Sequence, residues 1–157
     1  VVGSDVLGLD VDFTTAATAA GLVAVFEDEA GAAANANGAA YDLGALTAGN
    51  TNALDLVTLD TATLTNTANA NLALVTNGTE LLKALVAAGA ANTASGIQMD
   101  NIGDSLYIAV DDGANGYLYL ASAGADNLAT AGEIVLVGTF TASLIDGVIA
   151  AQTLMVA

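Results

Sequence analysis

Asp111-Asp112-Gly113-Ala114-Asn115, with Asp126-Asn127 in the loop that follows, is the best constellation of oxygen donors in this chain. Hard cations such as Ca2+ take several oxygens at about 2.3–2.6 Å from flexible, Gly-containing loops, and carboxylates, Asn amides and backbone carbonyls supply them. Asp, Asn and Gly are also the best turn formers, so the plainer reading of these residues is a solvated hairpin turn. Asp5, Asp10 and Asp12 form a second candidate, because alternate residues of a strand project from one face and Asp10 and Asp12 can then share a cation. An edge strand charged against aggregation carries the same pattern. Glu27-Asp28-Glu29 reads as a solvated acidic loop. Neither the EF-hand spacing nor the Gly-Gly-x-Gly-x-Asp nonapeptide is present, so any calcium site is irregular.

Composition narrows the chemistry further. In 157 residues there are seventeen acids against one base, Lys83, for a net charge of -16, with no His and no Cys. One cation leaves nothing to neutralise phosphates, which excludes nucleic acid and an anionic membrane surface as partners. Zinc, haem, iron–sulfur, thiol and imidazole mechanisms lose their side chains. Paired carboxylates could cleave a glycosidic bond only in a cleft, usually lined by aromatics. There is no Trp here, and Tyr41, Tyr107, Tyr117 and Tyr119 read as strand residues. Lys83 sits on the polar face of a helix where it pairs with Glu80 at i,i+3, so no catalytic residue is assigned and the chain reads as a non-enzyme.

The elements that must position these groups follow from periodicity. Val1 to Phe13 partly alternates and predicts a strand with a carboxylate face, and Thr14 to Phe26 predicts a helix capped by Thr14 or Thr15. Glu27 to Asn37 predicts a loop, and Leu54 to Leu64 one or two strands. Asn77-Gly78-Thr79 supplies a turn and an N-cap, Glu80 the first turn, and Leu81, Leu82, Leu85, Val86 and Ala88 the apolar stripe of a helix that Gly89 ends. Ser105–Val110, Gly116–Ala121 and Glu133–Phe140 predict strands, the first two joined as a hairpin through Asp111–Asn115. A short helix is expected at Thr141 to Ala150, then an apolar tail, Leu154 to Ala157. Mean hydropathy of +0.65 points to a folded chain. The expected architecture is one α+β domain over 1–157, mostly β: a β-sandwich or sheet-rich domain with one or two short helices packed on it. The longest apolar run, Leu81 to Ala91, is interrupted by Lys83 and Gly89 and is too short to cross a bilayer. The start at Val1 rather than Met suggests a processed chain or a fragment.

The run Ile102-Gly103-Asp104-Ser105-Leu106-Tyr107-Ile108-Ala109-Val110-Asp111-Asp112-Gly113, then Asp126-Asn127, then Glu133-Ile134-Val135-Leu136-Val137-Gly138-Thr139-Phe140, resembles the C-terminal domains of RTX-like bacterial proteins exported by type I secretion, such as S-layer proteins and adhesins. Gly3-Ser4-Asp5-Val6-Leu7 is similar to the segment that often opens such domains. Together these loose motifs cover about half of the chain. The resemblance implies an extracellular or cell-surface protein that is exported unfolded and folds where calcium is plentiful, and the tail Leu154 to Ala157 fits an uncleaved export signal. The nonapeptide calcium repeats usually found upstream are missing.

Two functions fit these readings. One is a structural protein that assembles with copies of itself into a surface layer or filament, with calcium bridging acidic surfaces and the apolar ends, Val1 to Phe13 and Leu154 to Ala157, adding strands to a neighbour's sheet. With a dissociation constant near 0.1 mM and about 10 mM calcium, linkage contributes roughly 2.7 kcal/mol per site, enough to decide assembly. The other is a monomeric C-terminal export and display module of a larger adhesin.

Overall fold

The computed structural model describes residues 26–28, 36–42, 55–59, 64–99 and 102–141. Eight strands are present there: β1 (Phe26–Asp28), β2 (Tyr41–Asp42), β3 (Asp55–Leu59), β4 (Ile97–Gln98), β5 (Ser105–Asp111), β6 (Asn115–Ser122), β7 (Leu128–Ala129) and β8 (Ile134–Thr141). They form a five-stranded sheet in the order β1-β3-β5-β6-β8 and a three-stranded sheet in the order β2-β4-β7. One helix, α1 (Thr79–Ala84), and two 3-10 turns, Thr67–Asn69 and Ala131–Glu133, complete the described elements. The mostly-β α+β class expected from the sequence is the class observed.

β5 and β6 are the middle of the larger sheet, and their composition explains why. Ile108 pairs with Tyr119 and Val110 with Tyr117, and these side chains join Val57 and Leu59 of β3 in the core. On the opposite face Ala109 pairs with Leu118, and both are buried as well. Strands buried on both faces read as continuous apolar runs rather than alternating ones, as SLYIAV and GYLYLA do. β3 lies parallel to β5, Val57 opposite Ile108, and a parallel neighbour requires a long crossover. That crossover carries α1 and β4.

α1 is too short to be stable alone. Leu81, Leu82, Leu85 and Val86 are all buried, each removal from water contributing about 1.5–3 kcal/mol, and this burial holds the helix. Ala88, the last residue of the expected stripe, is exposed beyond the helix end. The N-cap is Gly78, with no side-chain cap; Asn77 instead accepts the Thr79 N–H on its Oδ1 at 3.1 Å. Ile97 and Ala129 of the small sheet and Tyr41 of β2 enter the same core, and the Ala94 N–H donates to the Leu82 carbonyl.

Several expectations change. Phe26, expected to end a helix, and Glu27 and Asp28, expected in a loop, form β1: their backbones pair in parallel with Leu56, Val57 and Thr58. Edge position in a sheet tolerates acids, which is why the local composition misled. Thr141, expected to open a helix, is the last residue of β8, opposite Asn115. Glu133 belongs to a 3-10 turn and closes a capping box with Thr130. The predicted strand at 1–13, the helix over 14–25, the remainder of the helix over 142–150 and the tail at 154–157 lie outside the described residues.

Candidate functional site

The β5–β6 turn forms because Gly113 adopts φ of +86°, open to glycine, and because the two acids before it hold the backbone. Asp111 Oδ1 accepts the Gly113 N–H at 2.6 Å. Asp112 Oδ1 accepts the N–H groups of Ala114 at 2.9 Å and Asn115 at 2.7 Å, while its Oδ2 accepts the Tyr117 hydroxyl at 3.0 Å. Partial burial pushes the Asp112 carboxyl up, but these hydrogen bonds outweigh it and hold the group below its ordinary value. Burial, followed by the Asp112 carboxylate, pushes the Tyr117 hydroxyl up.

Asp126 uses its Oδ1 in the same way, accepting the Leu128 N–H at 2.9 Å. Asn127 contributes its backbone carbonyl, which accepts the Met99 N–H at 2.7 Å and the Gln98 amide at 3.0 Å. These two do not join Asp111, Asp112 and Asn115. β6 runs from Asn115 to Ser122, so the turn lies at one end of it and the Asp126 loop beyond the other. Seven steps of about 3.3 Å separate the strand's ends by about 23 Å. The eight-residue strand between the two loops was the signal in the sequence that they diverge. Among the described residues no group of three or more acids is gathered closely enough to hold a metal ion. Asp5, Asp10 and Asp12 lie outside the described residues.

The edge of the larger sheet shows something different. β8 is the last strand of the order, and Val135 and Val137 on it are 49% and 53% exposed, among the few large apolar side chains left so open. Leu118 pairs with Gly138 and Tyr119 with Leu136, so Val137 is the extra residue of a β-bulge. The outer edge is divided in two. Over its first residues the chain covers itself: Asn77 bridges Val135 in antiparallel fashion, and the Leu136 N–H donates to the Thr76 carbonyl at 2.7 Å. From Val137 to Thr141 no strand pairs with that edge among the described residues. Ile134 to Thr141 contains no charged residue and no Pro, the residue types that usually defend an exposed edge.

The acidic turn and the open half-edge are at the same end of the sheet. Asn115 is opposite Thr141, and Asp111 is opposite Gly116, itself opposite Phe140. With strands about 4.8 Å apart, the turn's carboxylates lie one to two strand spacings, about 5–10 Å, from the end of β8. This juxtaposition of an uncharged β edge with a short acidic turn is the candidate site. No protein-family model matches this chain, and no curated protein or solved structure matches it.

Proposed function

We propose that this chain is an extracellular structural protein that assembles with copies of itself into a surface layer or filament, with Ca2+ bridging acidic surfaces of adjoining copies. The observation that carries the reading is the half of β8 with which no strand pairs among the described residues, beside an exposed Val137 and with no charge on the strand to keep a neighbouring strand away. Electrostatics decide when it pairs. Along β8 the nearest acid is Glu133, four residues or about 13 Å from Val137, beyond a screening length of about 8 Å at physiological salt. The Asp111–Asp112 turn is closer to the end of the edge, so two copies meeting there bring like charges together, and a divalent cation between their carboxylates turns that repulsion into adhesion.

The test is negative-stain electron microscopy and sedimentation of the purified protein in about 10 mM calcium, then in excess EGTA. Ordered polymers that dissolve on chelation are the expected result. Monomers in both conditions overturn the reading and leave the export and display module as the alternative.

A further inference from the structure

The sequence contains three Asn-Gly steps, Asn37-Gly38, Asn77-Gly78 and Asn115-Gly116. Asn before Gly is the pair most open to deamidation, because no side chain on the second residue keeps its backbone nitrogen from the Asn side-chain carbon. Ring closure needs that nitrogen released from hydrogen bonding and room for the two residues to turn. The fold treats the three steps differently. Gly116 is buried in β6, with Asp111 opposite it on one side and Phe140 on the other. Asn115 is fixed as well: its N–H donates to Asp112 Oδ1 and its carbonyl accepts the Asp112 N–H. Gly78 is buried against Ile134, whose Cβ stands 2.5 Å from the place a side chain would take, and its N–H donates to the Ala131 carbonyl at 3.0 Å.

Asn37-Gly38 lies in a turn closed by the Ala39 N–H on the Ala36 carbonyl, and Asn37, Gly38 and their partner Thr93 are all exposed. Gly38 has φ of +77° and no atom within 4 Å of the place a Cβ would take. Thr93 meets this step twice, with opposite effects. Its N–H donates to Asn37 Oδ1 at 2.8 Å, which draws electrons from Cγ and stabilises the negative charge that attack places on the oxygen. Its carbonyl accepts the Gly38 N–H at 2.8 Å, which withholds the nucleophile. Breaking that one bond at the surface frees the nitrogen while the rest of the fold stays closed.

We propose that Asn37 is a self-modification site, deamidating in the folded chain while Asn77 and Asn115 wait for global unfolding. The Gly38 nitrogen bonds to Asn37 Cγ, the Cγ–Nδ2 bond breaks, and ammonia leaves with the Gly38 proton. Water then opens the ring to aspartate or isoaspartate, with nothing oxidised or reduced. Aspartate keeps the oxygen that the Thr93 N–H uses. Isoaspartate routes the backbone through Cγ, one carbon longer, and moves Gly38 off the Thr93 carbonyl. The next ties along this seam are the Ser95 N–H on the Ala39 carbonyl and the Tyr41 N–H on the Gly96 carbonyl, so the loosening falls on the pairing of β2 with β4.

Incubating the full chain in mildly alkaline buffer, with and without unfolding concentrations of urea, tests the site. Fragmentation mass spectrometry of the intact chain locates each Asn that has gained the mass of deamidation. In buffer Asn37 is expected to convert at least about tenfold faster than Asn77 and Asn115, and in urea all three at similar rates. An Asn37 that converts no faster than the other two in buffer overturns the proposal. Amide hydrogen exchange at Tyr41 reads the consequence, with Asn37→Asp as the comparison that adds the same charge without the longer backbone. Exchange is expected to be at least about tenfold faster in the purified isoaspartate form than in the parent, and unchanged in Asn37→Asp. Equal exchange in all three, or acceleration in Asn37→Asp as well, overturns the loosening.

Discussion

The Tyr119 hydroxyl, at the centre of β6, donates to the carbonyl of Leu72, forty-seven residues earlier, at 2.9 Å and out of contact with water. It is the contact through which the core of the sheet holds the segment that crosses to its edge. Burial pushes the Tyr119 hydroxyl well up, which favours the protonated form that donates this bond. Tyr119→Phe leaves a buried carbonyl without its partner, at a cost of about 1–3 kcal/mol. A urea unfolding curve with a lower midpoint and an unchanged slope is expected.

Glu80 gives the fold a defined acid sensitivity. Burial pushes its carboxyl up, but the Lys83 ammonium and the Asn71 N–H outweigh that and hold it below its ordinary value. A carboxylate whose value is lower folded than unfolded stabilises fully above the unfolded value, and that contribution is lost as pH falls through the folded value. Glu80→Gln is therefore expected to be less stable than the parent at pH 7. The gap should narrow below about pH 4.5, where the unfolded-state carboxyl of the parent takes up its proton. Denaturant midpoints of both chains measured from pH 7 to pH 3 check this; a gap that stays constant would rule it out.

Gly78 has no room for a side chain. A Cβ there would stand 2.5 Å from Ile134 Cβ and 2.8 Å from its Cγ2, and Ile134 is fully buried. Gly78→Ala should destabilise by about 1–3 kcal/mol, the usual cost of overpacking, although Ala is the better helix former in general. Thermal unfolding followed by circular dichroism reads it directly.

Asp112→Ala removes the acceptor for two turn N–H groups and the Tyr117 hydroxyl. A loss of about 1 kcal/mol is expected, as for an exposed cap. Asp112→Asn, which retains a carbonyl oxygen for the turn, should recover most of it in the same urea titration.

Much of this was legible in the sequence. The Asp-Asp-Gly-Ala-Asn hairpin between two apolar runs has a turn chemistry that admits few alternatives, and the stripe Leu81, Leu82, Leu85, Val86 marks the helix. The small sheet was not legible, because strands as short as Tyr41–Asp42, Ile97–Gln98 and Leu128–Ala129 have no period to detect. β3 falls within the strands expected over Leu54 to Leu64, whereas β1 and the parallel pairing of both are not legible, because pairing across long crossovers leaves no local trace. Asp111, Asp112 and Asn115 share one turn, whereas Asp126 and Asn127 are close to them along the chain only, and a full-length strand lies between. The sequence places Glu80 in the first turn of the helix, paired with Lys83, but does not predict its burial.

Val137→Lys places a charge on the open half of β8, where the side chain is already exposed, so the folded monomer should lose less than about 0.5 kcal/mol. Polymer yield in calcium is expected to fall steeply by sedimentation. An unchanged yield would move the assembly surface away from this strand.

Because Lys83 is the only basic residue, trypsin has a single bond to cut in the whole chain, the one to Ala84 near the end of α1, where Ala84 is fully buried. A protease must unwind that turn before cleaving, so the rate at which one band becomes two is a clock for the opening of the helix that carries Glu80. Any change that loosens Glu80's hold on Asn71 by fraying α1 will be visible on a gel within one digestion series.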